Sequence, residues 1–131
     1  VATQREIDAV AAAGAKPGTI EERATAAVET FARRALRSPR LAYALIAEPV
    51  DPLVEAERLV HRRAYRDIFA AIIKDAVESG ELPPQDAEVT AAAVVGALAE
   101  ALVVPLNAGA APRRTVPDIV AFVTRGLGAR A

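Results

Sequence analysis

The sequence predicts an all-α protein, a bundle of about six helices. Apolar side chains recur every three to four positions over most of the chain, which is the period of an amphipathic helix. The segments with this period are separated by Gly and Pro, and several begin with a Ser, Thr or Asp that can cap a helix. No run longer than a few residues alternates apolar and polar side chains as a strand does.

Length and composition indicate a single folded domain over residues 1–131. The hydrophobic share of 53% and the charged share of 25% are typical of a globular chain. A net charge of -1 provides no basic field for nucleic acid, so we expect this piece alone to bind DNA poorly. The absence of cysteine excludes disulfides and thiolate metal sites and, with no export signal visible, favours a cytoplasmic protein. Because the chain has no methionine and opens on Val1, we expect a further segment to precede it.

The first two helices are predicted from caps and turns. The first runs from Gln4 to Ala13, and Gly14 is placed to end it in the left-handed conformation. Thr19 and Glu22 have the spacing of a capping box, which begins the second helix. The predicted buried stripe of that helix consists of Ile20, Ala24, Ala27, Val28, Phe31 and Ala35.

Two further helices begin with a cap residue followed by proline. Ser38-Pro39 starts a short helix that Pro49 halts, and Asp51-Pro52 starts the longest helix, which reaches Ser79 before Gly80. The predicted apolar face in the second half of the long helix consists of Ala64, Tyr65, Ile68, Phe69, Ile72, Ile73 and Ala76.

The run from Val89 to Leu106 is apolar almost all round, and the chain is organised around it. Asp86 or a neighbour caps it, Pro105 closes it, and a final helix starts at Thr115. A membrane span would explain the run as well, but Glu100 lies inside it and no Trp or Tyr flanks it. A helix that is apolar all round must be covered on more than one side. We therefore expect a homodimer, in which a second copy covers one side.

Two sides of this helix can be distinguished at 100° per residue. The small residues on one narrow strip allow close approach of another helix, so we assign them to the partner subunit: Ala92, Gly96, Ala99 and Val103. The bulky ridge is assigned to the subunit's own interior: Val94, Leu98 and Leu102. The alternative is that the small strip packs within one subunit.

The order of these elements resembles the C-terminal regulatory domain of the TetR family of transcriptional regulators. The resemblance rests on five features in this order: the short helix that begins at Ser38-Pro39, the link from Glu48 to Pro52, His61–Tyr65 in a long Arg-rich helix, the turn Gly80–Pro84 after that helix, and the Ala-rich stretch Ala92–Leu102. It covers essentially the whole chain, although the family's N-terminal helix-turn-helix unit is missing.

The resemblance implies a regulatory domain whose last two helices pair with those of a second subunit as a four-helix bundle. This pairing adds Phe122 and Val123 of the final helix to the expected interface. It also implies a small, largely apolar effector that shifts the dimer away from its DNA-binding conformer. DNA would be bound only through the missing N-terminal domain. The alternative is a ligand-independent dimerisation or adaptor module with a solidly packed interior.

His61 is the candidate polar contact for such a ligand, because it lies one turn before Tyr65 on the apolar face of the long helix. Its alternative role is that of a half-buried histidine bonded to a neighbouring carbonyl, or of a surface histidine near the less regular start of this helix. The full set of predicted ligand contacts is His61, Tyr65, Phe69, Leu98, Leu102, Tyr43 and Phe31. An interior void bounded by His61, Tyr65, Phe69 and Leu98 would separate a sensor from an adaptor.

Enzymatic functions find no support in the residue pattern. One His and no Cys leave no metal site of the paired Glu-x-x-His type, and no Gly-rich phosphate loop follows a strand. We expect no cofactor, no metal and no catalytic residue. The arginines Arg58, Arg62, Arg63 and Arg66 are interpreted as a solvated face, and Glu100 as a solvent edge or a partner of Arg125.

Overall fold

A computed structural model describes residues 2–46 and 51–129, which form six helices without a strand in those ranges. The helices are α1 (Ala2–Ala15), α2 (Ile20–Arg37), α3 (Pro39–Ile46), α4 (Pro52–Ser79), α5 (Ala87–Ala108) and α6 (Thr115–Leu127). The all-α prediction is confirmed. The predicted stop at Pro49 lies outside the described residues.

The helix starts follow the predicted cap chemistry. The Thr19 hydroxyl accepts from the Glu22 backbone N–H at 3.1 Å, and the Glu22 carboxylate accepts from the Thr19 N–H at 3.0 Å. The carboxylates of Asp51 and Asp86 each accept from the backbone N–H two residues on, at 3.0 Å in both cases. Local sequence therefore sets where α2, α4 and α5 begin.

Gly14 does not end α1, contrary to the prediction. The helix continues to Ala15, and Gly14 is buried inside it. A Cβ at Gly14 would lie 2.7 Å from Cδ1 of Ile72, and the Gly14 carbonyl accepts from Nε of Arg23 at 2.8 Å. Glycine here leaves room for the end of the Ile72 side chain of α4, and the backbone does not turn at this position.

Helix α5 extends beyond Pro105, where the prediction closed the apolar run. Proline removes only one backbone donor here, and the helix ends three residues later, at Ala108. Leu106 anchors this last turn in the core, and Gly109 caps it with φ 80° in the left-handed region. Helix α6 begins at Thr115 as predicted.

The core lies between α4 and α5, with α1, α2, α3 and α6 packed around them. Its largest fully buried side chains are Phe69, Ile73, Leu98, Leu102, Val10 and Val28. Val94, Leu98 and Leu102 of α5 all face this core, so the predicted inward ridge is confirmed. Among the described helices, α5 alone is long and apolar enough to cross a membrane, yet its inward side is a buried part of the domain core.

The opposite side of α5, here called the outer face, is exposed and mostly apolar. It consists of Val89, Ala92, Ala93, Gly96, Glu100, Val103 and Val104, of which only Val103 is partly buried. Glu100 forms no ion pair within the described residues, which agrees with a solvent edge. Phe122 on α6 is also exposed, at 66%.

Two residues of the predicted dimer interface are buried inside the subunit instead. Ala99 is turned toward the domain interior, because it lies only about 20° around α5 from the buried Leu106 and about 40° from Val95, whereas Gly96 lies about 60° further round on the exposed side. Val123 is buried in the core, since it lies about 100° around α6 from the exposed Phe122. The outward-facing part of the predicted strip therefore consists of Ala92, Gly96 and Val103.

Candidate functional site

A cavity of about 130 Å³ lies among the first five helices. A dry cavity of roughly 150 Å³ is large enough to hold benzene, so this one matches a molecule with a body of about that size. Its wall consists of Glu6 and Val10 from α1, Phe31, Arg34, Ala35 and Ser38 from the α2 end, Leu41, Ala42 and Ile46 from α3, Arg58, His61, Arg62, Tyr65 and Phe69 from α4, and Val95, Leu98 and Ala99 from α5.

Helix α4 supplies one long side of the cavity. His61, Tyr65 and Phe69 follow one another at four-residue spacing, so they lie one above the other along the same helix face. Phe31 of α2 contacts Tyr65 edge to face, with ring centroids 4.9 Å apart and an interplanar angle of 88°. Leu98 of α5 closes the opposite side. The result is a mostly apolar wall with aromatic rings on two helices.

Two polar side chains in this wall have free hydrogen-bonding capacity. Neither the His61 imidazole nor the Tyr65 hydroxyl bonds to any residue in the ranges that the structure describes. Burial, with a smaller contribution from the Glu6 carboxylate and against the opposing effect of Arg34, raises the pKa of Tyr65 to about 12. The phenol therefore stays protonated at neutral pH and can donate a hydrogen bond to a ligand.

An ion pair in the wall joins α1 to α2. Nε of Arg34 donates to Oε2 of Glu6, and Nη2 of Arg34 donates to Oε1 of the same carboxylate at 3.2 Å. The bidentate contact with Glu6 raises the pKa of the Arg34 guanidinium. The first helix thus contributes a charged group directly to the cavity.

A second set of contacts joins α4 to the end of α3. Arg58 is only 7% exposed; its Nη1 donates to Glu55 at 3.2 Å and its Nη2 to the Ala44 carbonyl at 2.5 Å. Nη2 of Arg62 donates to the Ile46 carbonyl at 3.3 Å. Cations are favoured at these carbonyls because they lie at the negative end of the α3 dipole.

The prediction that Arg58 belongs to a solvated face is wrong, and Arg62, although exposed, also reaches the cavity wall. Arg58, Arg62, Tyr65 and Phe69 are separated by four, three and four residues, which is the spacing of one helix face. That spacing was the signal in the sequence that could have placed both arginines beside the predicted pocket.

The cavity brings together five of the seven predicted ligand contacts: His61, Tyr65, Phe69, Leu98 and Phe31. The other two lie outside the wall, which corrects their predicted placement. Leu102 is fully buried in the core one turn beyond Leu98, and Tyr43 packs against the core from a side of α3 about 100° from Ala42. Ala99, predicted at the dimer interface, belongs to the wall instead.

A family model described as the tetracyclin repressor-like C-terminal domain matches residues 17–102. The chain belongs to this family. The match includes α2, α3, α4 and most of α5, and thereby all of the cavity wall except its α1 residues. The resemblance seen in the sequence is confirmed. No curated protein and no solved structure matched the chain.

The TetR-like C-terminal domains are regulatory domains and form a family without enzymatic activity. This agrees with the sequence prediction. Domains of this family generally dimerise and bind effectors. The apolar α5 is in this context a core helix of a soluble TetR-like domain.

Proposed function

We propose that this chain is the effector-sensing and dimerisation domain of a cytoplasmic TetR-like transcriptional repressor. A small, largely apolar ligand binds in the cavity and shifts the dimer away from the conformer that binds DNA. DNA is bound only through an N-terminal unit outside this sequence. The observation that carries the proposal is the cavity lined by His61 and Tyr65, two polar side chains without a hydrogen-bond partner in the described ranges.

The cavity favours a sensor over the alternative, a ligand-independent adaptor. An adaptor needs only a well-packed interior, and protein interiors contain few voids larger than a water molecule. Here a partly open cavity of about 130 Å³ reaches into the domain, and its wall includes the four residues that the sequence pointed to, His61, Tyr65, Phe69 and Leu98. An apolar wall with a few polar groups is typical of a small-molecule site.

The position of α1 supports coupling between ligand and DNA binding. Glu6 and Val10 contribute to the cavity wall, so a ligand in the cavity contacts the helix nearest the proposed DNA-binding unit. A ligand shifts the two conformers only by its difference in affinity for them. Because the Glu6–Arg34 ion pair ties α1 to α2, displacement of either partner gives the ligand such a difference.

The exposed apolar side chains of α5 and α6 support a dimer. Val104 is 75% exposed and Phe122 is 66% exposed in a single subunit. Exposed apolar clusters on soluble proteins mark interaction sites. We propose that α5 and α6 form a four-helix bundle with the same helices of a second copy, through Ala92, Gly96, Val103 and Phe122. A stable pairing should bury at least about 1,000 Å² in total.

The dimer is tested by sedimentation velocity of the chain over a range of concentrations, with Phe122→Ser as the test variant. The matched control is Leu53→Ser, because Leu53 is 83% exposed on α4 and lies outside the proposed interface. We expect the wild type and the control to be dimers and Phe122→Ser to dissociate at higher concentration. A wild-type monomer at micromolar concentration would contradict the dimer.

The sensor is tested by native mass spectrometry and by a thermal-shift screen with small apolar compounds. Binding to the native state raises the unfolding temperature with compound concentration. We expect stabilisation by compounds near benzene in size, and its loss in Ala99→Phe, which fills the cavity. A response that Ala99→Phe leaves unchanged would place the binding site elsewhere, and no response to any compound would favour the adaptor.

A further inference from the structure

We propose that the ligand of this cavity is a small monocarboxylate whose apolar body is about the size of a benzene ring. The proposal rests on the sensor function proposed above and adds the chemical class of the effector. It depends on the size of the cavity, the balance of charges in its wall, and the hydrogen-bond donors that remain free there.

The size and lining of the cavity define the body of the ligand. A volume of about 130 Å³ has room for one ring or a short branched chain. Phe31, Phe69 and Leu98 provide apolar contacts on three helices. A phosphate group is disfavoured because it would leave its large hydration shell for a mostly apolar wall.

The charges of the wall leave one cation without a carboxylate. Glu6 pairs with Arg34, and Glu55 pairs with Arg58 at 3.2 Å. Arg62 donates to the Ile46 carbonyl and has no carboxylate partner in the part of the chain that the structure describes. Three wall arginines therefore stand against one carboxylate in the wall, Glu6, and one beside it, Glu55, and the excess positive charge lies on Arg62.

The chain around the α2–α3 junction carries further positive charge. Arg37 and Arg40 are exposed and flank Ser38 and Leu41, which belong to the wall. Neither arginine forms an ion pair within residues 2–46 and 51–129. A concentration of one sign of charge around a cavity attracts ligands of the opposite sign. An anion is favoured here, and a cation is disfavoured.

The free donors fit a carboxylate group. Its two oxygens accept from a guanidinium as a pair of parallel bonds, which the unused N–H groups of Arg62 can supply. His61 lies one residue before Arg62, and the protonated Tyr65 hydroxyl lies one turn further along α4. A carboxylate at Arg62 with a ring directed toward Phe69 satisfies the polar groups at one end and the apolar wall at the other.

Isothermal titration calorimetry of the chain with four compounds of one size tests this proposal: benzoate, benzamide, benzyl alcohol and benzylamine. We expect benzoate to bind at least about tenfold more tightly than benzamide, because a bond to a charged group is stronger than a neutral one. Arg62→Gln should weaken benzoate binding far more than benzamide binding and so abolish that preference. The matched control is Arg63→Gln, an exposed neighbour outside the wall, which should keep the preference.

Equal binding of benzoate and the two neutral compounds would overturn the carboxylate proposal and leave the sensor function standing. A preference for benzoate that survives Arg62→Gln would overturn the assignment of the carboxylate to Arg62. If none of the four compounds binds, a benzene-sized ligand is excluded. The thermal-shift screen with Ala99→Phe then decides separately whether the cavity binds a ligand of another kind.

Discussion

The substitution Gly96→Leu provides the sharpest test of the proposed dimer. It should stabilise the isolated subunit and destabilise the interface. Gly96 lies on the outer face of α5, and a Cβ added there meets no atom of the subunit within 4 Å. Glycine inside a helix costs about 1 kcal/mol relative to alanine or leucine. Within a subunit alone, Gly96→Leu should therefore stabilise the fold by about 1 kcal/mol.

In the proposed dimer the same substitution inserts a bulky side chain where two helices approach closely. Overpacking of a well-packed contact costs about 1 to 3 kcal/mol per site. A two-fold interface contains the site twice, so the dimer loses about 2 to 6 kcal/mol. Since 1.4 kcal/mol is a factor of ten, the dimer dissociation constant should rise by roughly 30-fold or more.

Sedimentation equilibrium gives the dissociation constant, and circular dichroism reports whether the helices remain. The control is Ala101→Leu, because Ala101 is exposed on α5 about 140° around the helix from Gly96. We expect a folded, mostly monomeric Gly96→Leu and a dimeric control. An unchanged dissociation constant for Gly96→Leu would refute the placement of the interface. An unfolded Gly96→Leu would refute the claim that the subunit has open space beside Gly96.

Three further substitutions test the core and the cavity. Gly14→Val should lower the free energy of unfolding by about 1 to 3 kcal/mol in urea titration, because the Cβ of the new valine would lie 2.7 Å from Cδ1 of the buried Ile72. Equal stability of variant and wild type would contradict the close approach of α1 to α4. Leu98→Ala should cost about 2 to 5 kcal/mol and admit ligands larger than a single ring in calorimetry; unaltered size selectivity would show that Leu98 does not limit the cavity. Burial raises the pKa of Tyr65 to about 12, above the value near 10 of an unfolded chain, so the native state keeps this proton as pH rises through 10 while the unfolded chain loses it. The free energy of unfolding should therefore fall by about 0.5 kcal/mol between pH 10 and 11, after a discount for the partial exposure of the ring. In parallel urea titrations Tyr65→Phe should lack this part of the pH dependence. If the free energy of unfolding falls equally with pH in wild type and variant, the phenol of Tyr65 is not buried.

Much of the fold could be predicted because the signals are local. A cap residue acts on backbone groups two or three positions away, so Thr19, Asp51 and Asp86 determine helix starts without reference to distant neighbours. The period of the apolar residues similarly identified the inward ridge of α5 and placed His61, Tyr65 and Phe69 on one face of α4. The five predicted residues that line the cavity all lie on helix faces that this period identified.

The sequence by itself determined the helices, their caps and the apolar sides that must be covered. The tertiary structure alone decided which residues far apart in the chain meet. Gly14 makes room for the side chain of Ile72, Arg58 is buried because the end of α3 covers it, and Ala99 faces the cavity because α5 lies beside α4. Helical period states only that two residues share a side; the packing of helices separated by tens of residues determines what that side contacts.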